Sequence, residues 1–451
     1  MKKTYFIKTR LLAATALGLA SAMGLNQAAH AAGFGLREGS ADWLGNAFVG
    51  GEAKAYDAGT VYSNPAGMAL LDQSQFSGNI SYIGPSAKFK GYNTNPVYGA
   101  LPGQGKHLTG VTGGNVVSAA ASGAMFGVLV LNPDWRLGLS VTNPYGERTS
   151  YPKNWVGRYQ GLVSSITGID FSVALSYKVN NNLSVGGGPV VEYYHARLTQ
   201  AINIPVLSKG NIPTDAYGDV HGSDVALGYN LGILYKIDND TRIGLDYRSR
   251  IRHNIHGTQD ITGVSPLLAS YGLYNSSLSA RTNITSPDSI SAGIYHQVTP
   301  ALALMGSVQW THWGLFNTLN ISPQNAAAGG LLGGATTTIH EKWRNTWFAG
   351  VGANYQVNSR LMLQTGFSFD ESPVTDSNRT SRVPDSNHYN LGFGMKYKVL
   401  PSTTVDLAYL HVFTPGGSIN STANEAAYTG TQIGTYDASD NSVTAGLNVV
   451  F

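Results

Sequence analysis

The sequence predicts an all-β protein: a transmembrane antiparallel β-barrel of about fourteen strands, with its N-terminal stretch folded inside as a plug. Three observations lead there. Charged residues make up 12% of the chain, against about 25% for an average soluble domain. Segments of alternating hydrophobicity recur from residue 75 to the last residue. Most of them have the ~9–11 residues that a tilted strand needs to cross a bilayer. The links between them alternate short and long, as in barrels with tight turns on one side and loops on the other.

Residues 1–31 read as an export signal, outside the fold. Lys2, Lys3, Lys8 and Arg10 precede an apolar core from Leu11 to Leu25, and Ala29-His30-Ala31 is an A-x-A cleavage site. Mature protein is expected to begin at Ala32. The whole chain carries 29 basic and 26 acidic residues; losing four basic ones leaves 25 against 26. The basic balance therefore belongs to the precursor and gives no support for nucleic-acid binding. There is no Cys, which excludes disulfides and a thiolate metal site. With 55 Gly and 25 Tyr, and no later apolar run of eighteen, the rest is expected to cross a membrane only as strands.

The stretch from Ala32 to Leu71 has no clean period of 2 and no long period of 3.6. It does have buried-type anchors: Phe34, Leu36, Trp43, Leu44, Phe48, Tyr56, Val61, Met68, Leu70 and Leu71. A compact irregular segment before a long series of strands reads as a plug, giving the division 1–31 signal, 32–74 plug and 75–451 barrel. In the barrel, residues 388–399 place Tyr389, Leu391, Phe393, Met395, Tyr397 and Val399 on one face and Asn390, Lys396 and Lys398 on the other. Residues 442–451 place Val443, Ala445, Leu447, Val449 and Phe451 together. The short links, such as Asn132-Pro133, Asn180-Asn181-Asn182 and Asp238-Asn239-Asp240, are built of turn formers and are expected to be periplasmic. The long links face outward. Two of them are apolar, with Leu267 and Leu268 in one and Leu331 and Leu332 in the other. They suit capture of hydrophobic molecules or packing over the barrel mouth. One segment, 241–252, alternates so that Arg242, Asp246, Arg248, Arg250 and Arg252 share the inner face. These guanidiniums either bind a carboxylate or form a network with Asp246, Glu192, Glu38, Asp42 and Asp57.

Two stretches carry a family resemblance. The mature start AGF, Asp57-Ala58-Gly59 and Ser63-Asn64-Pro65-Ala66 resemble the hatch of the outer-membrane long-chain fatty acid transporters, the FadL/TodX (OmpP1-like) family. Residues 342–412 resemble a second region of the same family, with Phe369-Asp370-Glu371-Ser372-Pro373-Val374, Asn378-Arg379 and Val383-Pro384-Asp385. The resemblance implies a non-enzymatic channel of the Gram-negative outer membrane, and a closed lipid face without a distinct polar stripe favours a monomer. Hydrophobic ligand is held by outer loops, passes to a lumen pocket reached by the mature N-terminus, and leaves sideways at a break in the third strand. It marks Phe34, Arg197, Arg344 and Asp370 for the pocket. It places the break at Asn143-Pro144-Gly146, where Pro144 lacks an N–H and Gly146 permits a bend.

The C-terminal Phe451, after an alternating strand, resembles the signal read by the barrel assembly machinery. No Gly-x-Ser-x-Gly elbow, phosphate loop or metal-spaced His set appears, so no cofactor is expected. The expected partners are a long-chain fatty acid or other hydrophobic small molecule and outer-membrane lipid. Uptake of uncharged hydrocarbons such as alkyl aromatics, a general hydrophilic porin and a purely structural barrel remain open beside the fatty acid reading.

Overall fold

The computed structural model describes residues 32–94, 106–204, 215–421 and 429–451. The expected signal, residues 1–31, lies outside them. The first strands are β1 (Gln75–Asn93), β2 (Ala120–Val130), β3 (Trp135–Ser150), β4 (Val163–Lys178), β5 (Leu183–Asn203) and β6 (Asp215–Lys236). There follow β7 (Thr241–Arg248), β8 (Ile251–Thr262), β9 (Ser276–Ser286), β10 (Ser289–Gln297) and β11 (Leu302–Thr311). A small hairpin, β12 (Thr318–Pro323) and β13 (Thr337–His340), precedes β14 (Thr346–Gln356), β15 (Leu361–Asp370), β16 (His388–Leu400) and β17 (Thr403–Phe413). The short β18 (Gly417–Asn420) and the long β19 (Gln432–Val450) complete the sheet.

Taking β7/β8 and β9/β10 as one stave each, and setting aside β12, β13 and β18 above the wall, fourteen antiparallel staves close into a barrel. Closure is between β1 and β19, paired from Gln75↔Val450 to Asn93↔Gln432. It joins the first stave to the last, so the two ends of the sheet pair with each other in the hydrocarbon, where an unpaired backbone group costs several kcal/mol. Alternation holds as expected: Tyr389, Phe393, Met395, Val443 and Leu447 are exposed on the outer face, while Asn390, Ser442 and Thr444 are buried inside.

Two staves depart from the sequence reading. The segment 241–252, expected to alternate as one strand, breaks at Ser249-Arg250. There the Ser249 hydroxyl accepts the Tyr229 N–H at 2.9 Å in place of a ladder carbonyl, and the inward parity changes. Asp246 faces in before the break; Ile251 and His253 face in after it. Arg252 therefore points outward, and the row of four lumen guanidiniums reduces to Arg242 and Arg248. Arg250 pairs with Asp288 at 3.1 Å. The matching break in the next stave is at Pro287-Asp288, where proline has no N–H for the ladder. Several staves are longer than a bilayer crossing requires: β5 runs from Leu183 to Asn203 and β6 from Asp215 to Lys236.

Residues 32–74 fold inside this wall as three one-turn helices, at Ala41–Leu44, Gly51–Lys54 and Thr60–Ser63, and a 3-10 turn, Pro65–Leu70. They pack against inward residues of staves all round the barrel. Close approach depends on inward glycines. A Cβ on Gly244 would lie 1.9 Å from the Glu52 carbonyl oxygen, and one on Gly366 would lie 2.1 Å from that of Asn46. The high glycine content thus serves contact between this segment and the wall as well as the strands themselves.

Candidate functional site

Asn64 shows why the segment sits where it does. Its side chain caps the 3-10 turn, accepting the Ala66 N–H at 3.0 Å. The same amide donates to the carbonyls of Glu52 at 2.7 Å and of Ile233, on the wall, at 3.0 Å. Pro65 begins the turn, where its missing N–H is not needed. The Ala66 carbonyl accepts from Ser184 at 2.9 Å. Asn64-Pro65-Ala66 is thus a clamp to the wall and does not contact the cavity described below.

Charge fixes the other side of the segment. Lys396, from the wall, reaches Asp42, Asp57 and Asp406, each at 3.0 Å. Lys54 lies 2.7 Å from Asp42. The two ammonium groups hold the Asp42 carboxyl below the usual range against the opposing effect of burial. Glu38 is the contrary case: burial, aided by nearby Asp440, pushes its carboxyl up to about 7. The docked segment then keeps a proton that a released one, with the ordinary value of 4.5, gives up. Docking should weaken as pH rises from about 4.5 to about 7, by up to about 3 kcal/mol. Hydrogen exchange of residues 36–40 across that range should show the slope in the wild type, and Glu38→Gln should flatten it.

Residues 34–36 pair with β3 where its pairing with β2 has ended. β2 pairs with β3 only up to Met125↔Val141, and β3 bulges against β4 between Thr142 and Tyr145. Residues 34–36 lie alongside the bulge. Leu36 N–H donates to the Pro144 carbonyl at 2.8 Å, and Gly146 N–H to the Phe34 carbonyl at 2.9 Å. Asn143-Pro144 therefore lies within the strand and does not start the outer loop. Gly33 N–H donates to Asp385 at 2.8 Å, tying the same end to the Val383-Pro384-Asp385 segment.

Phe34 is fully buried among rings, with centroids at 4.7 Å to Trp313, 5.3 Å to Trp343, 5.5 Å to Phe316 and 5.7 Å to Tyr145. Beside this cluster is a cavity of about 180 Å³. Leu36, Trp43, Tyr62, Tyr145 and Trp313 give it apolar walls, and the bulge at Thr142-Asn143-Pro144 forms one side. Its charged lining is Glu52, Asp170, Glu192, Asp246 and Asp370 with Arg37 and Arg248.

The structure brings together some of the expected pocket residues and separates others. Asp370 lines the cavity, and Phe34 lies in the ring cluster beside it, touching the lining residues Tyr145 and Trp313. Arg197 does not: it shares the outward parity of Tyr193, while Tyr194, Ala196 and Leu198 turn in toward the Phe34 cluster. Half-exposed, it pairs with Asp219 at 2.5 Å, which corrects its expected place in the lumen. Arg344 lies beside the cluster, since its neighbour Trp343 enters it, but its own side chain is half-exposed and pairs with Glu371 at 3.1 Å. The cation beside Asp370 is Arg37, at 2.9 Å, over the Phe348 ring at 4.4 Å. Sequence reasoning missed it, although it stands three residues after Phe34. In the outer loops Leu267 and Leu331 are exposed, whereas Leu268 is buried and Leu332 packs on the same core. Each pair thus has one residue exposed and one packed.

The comparisons with known proteins agree with this architecture. The family model described as outer membrane protein transport protein (OMPP1/FadL/TodX) matches residues 22–451. An outer membrane protein of Neisseria meningitidis serogroup B is 30% identical over 433 residues, covering 90% of this chain and 89% of that one. A long-chain fatty acid transport protein of Escherichia coli O6:H1 is 27% identical over 452 residues, covering 94% and 95%. Among solved structures, a Pseudomonas aeruginosa FadL homologue superposes with a TM-score of 0.82 at 24% identity, covering 93% of this chain and 99% of that one. The Pseudomonas putida toluene transporter TodX gives 0.66 at 16%, covering 93% and 100%. With its closed fourteen-stave barrel and a family match over nearly its whole length, the chain belongs to the OMPP1/FadL/TodX family of outer-membrane channels for hydrophobic substrates.

Proposed function

We propose that this protein admits long-chain fatty acids passively across the outer membrane, with residues 32–74 as the hatch. The observation that carries this is the cavity itself, walled by aromatic side chains and bounded by the hatch on one side and the β3 bulge on another. A relative of similar length is named for long-chain fatty acid transport. Exposed Leu267 and Leu331 offer the first contact, the rings about Phe34 the next, and the gap between β2 and β3 a sideways exit once residues 34–36 leave it. Binding at successive sites moves an apolar chain down its gradient and needs no nucleotide.

Uncharged hydrocarbons are the second reading. The outward Arg197 and the paired Arg344 favour it, because neither presents a free cation to the cavity. Proteoliposomes decide between them. Under the first reading they take up a long-chain fatty acid while excluding small sugars, and a chain lacking residues 32–71 leaks both. Equal sugar flux with and without those residues would sink the hatch. Uptake of alkyl aromatics but not of the acid would establish the second reading.

A further inference from the structure

The cavity's charged groups are unequally satisfied. Asp370 is held by Arg37. Glu192 lies 2.7 Å from His253 Nε2 and accepts from Ser286 at 2.5 Å, and Glu52 accepts from Ser307 at 2.6 Å. Three groups are left over. Asp170 and Asp246, both nearly fully buried, each have an Oδ1 without a hydrogen-bond partner. Arg248 Nη2 is likewise without one. It stands 3.8 Å from Asp170 Oδ2, beyond hydrogen-bond length. The guanidinium is fixed over the Tyr62 ring at 3.7 Å. Buried polar atoms in native proteins are normally paired, so these three charged groups, with Thr142 Oγ1 and the Asn143 amide, which are unpaired at the bulge, define what a bound group must meet.

Among the charged groups, two acceptors accompany one donor. A group that only accepts leaves the carboxylates unsatisfied. An anion meets Asp170, Asp246 and Glu192, while Arg37 and Arg248 already face acids. Resting on the channel reading above, we propose that the cavity takes the polar end of its hydrophobic guest as a group that both donates and accepts a hydrogen bond, a hydroxyl or an un-ionised carboxyl, and not as a carboxylate anion. Its donor proton goes to Asp246 or Asp170, and its oxygen accepts from Arg248. Specificity then lies with Asp170, Asp246 and Arg248, while Arg197 and Arg344 stand outside it.

The test is binding to the detergent-solubilised protein of three probes of one chain length: a primary alcohol, its methyl ether, which accepts but cannot donate, and an alkyl sulfonate, a permanent anion. The alcohol should bind about tenfold or more tighter than the ether, as for a hydrogen bond to a charged group, and the sulfonate weakest. Asp246→Asn and, separately, Asp170→Asn should narrow the gap between alcohol and ether and improve the sulfonate. Calorimetry in buffers of different ionisation heat separates the two head groups: the fatty acid should take up a proton on binding near neutral pH, and the alcohol none. A sulfonate that binds as well as the alcohol, or an alcohol no better than its ether, overturns the proposal. An acid that takes up no proton overturns its carboxyl half. If none of the probes binds, the channel reading fails and this proposal falls with it.

Discussion

Lys396→Met should loosen the hatch more than any other single side-chain change. One ammonium serves Asp42, Asp57 and Asp406, and all three carboxylates are buried. Removing it leaves Lys54 alone against them. Breaking a buried pair by deleting one partner costs about 3–5 kcal/mol, because the other charge stays uncompensated. Expected results are faster hydrogen exchange across residues 41–63 and stepwise conductance to small ions in planar bilayers, where the wild type is quiet. Adding Asp57→Asn and Asp406→Asn should restore part of the closure, since fewer charges then need the lost partner. Unchanged exchange and conductance in Lys396→Met would show that the Asn64 clamp and the glycine contacts suffice on their own.

Phe34→Ala should have the next largest effect. The ring is fully buried and meets four others. Truncating a buried Phe costs about 3–5 kcal/mol in lost contacts and residual cavity. The loss falls on the segment that lies along the β3 bulge through the Leu36–Pro144 and Gly146–Phe34 hydrogen bonds. Exchange at Gly33–Arg37 should rise while the hatch from Ala41 onward stays protected. Binding of a hydrophobic probe should fall by about tenfold or more as the aromatic wall is lost, since even 1.4 kcal/mol is tenfold. Phe34→Leu should recover much of both. If binding is unaffected while exchange rises, Phe34 only holds the terminus in place.

Most of the barrel is legible in the sequence. Alternation with period 2 is a local property, so Tyr389 to Val399 and Val443 to Phe451 declare their faces directly, and turn formers mark where each pair of strands reverses. The stretch from Ala32 to Leu71 stands apart as a failure of both periods that is rich in buried-type residues, and most of those residues are buried. Arg197 could also have been placed, because it shares parity with Tyr193 and not with Glu192. The family resemblance, which marks Arg197 for the pocket, runs against that count.

The rest depends on residues far apart in the chain, and no period reports them. Parity changes at Ser249-Arg250 and Pro287-Asp288 because a side-chain hydroxyl and a proline interrupt the ladder, so alternation cannot be carried across them. Arg37 meets Asp370 and Lys396 gathers three aspartates only when the hatch lies within the closed wall. The unsatisfied trio of Asp170, Asp246 and Arg248 is assembled across the lumen from β4 and β7. Alternation dictates which face a side chain takes; closure of the wall around residues 32–74 dictates which buried charged groups lack a partner.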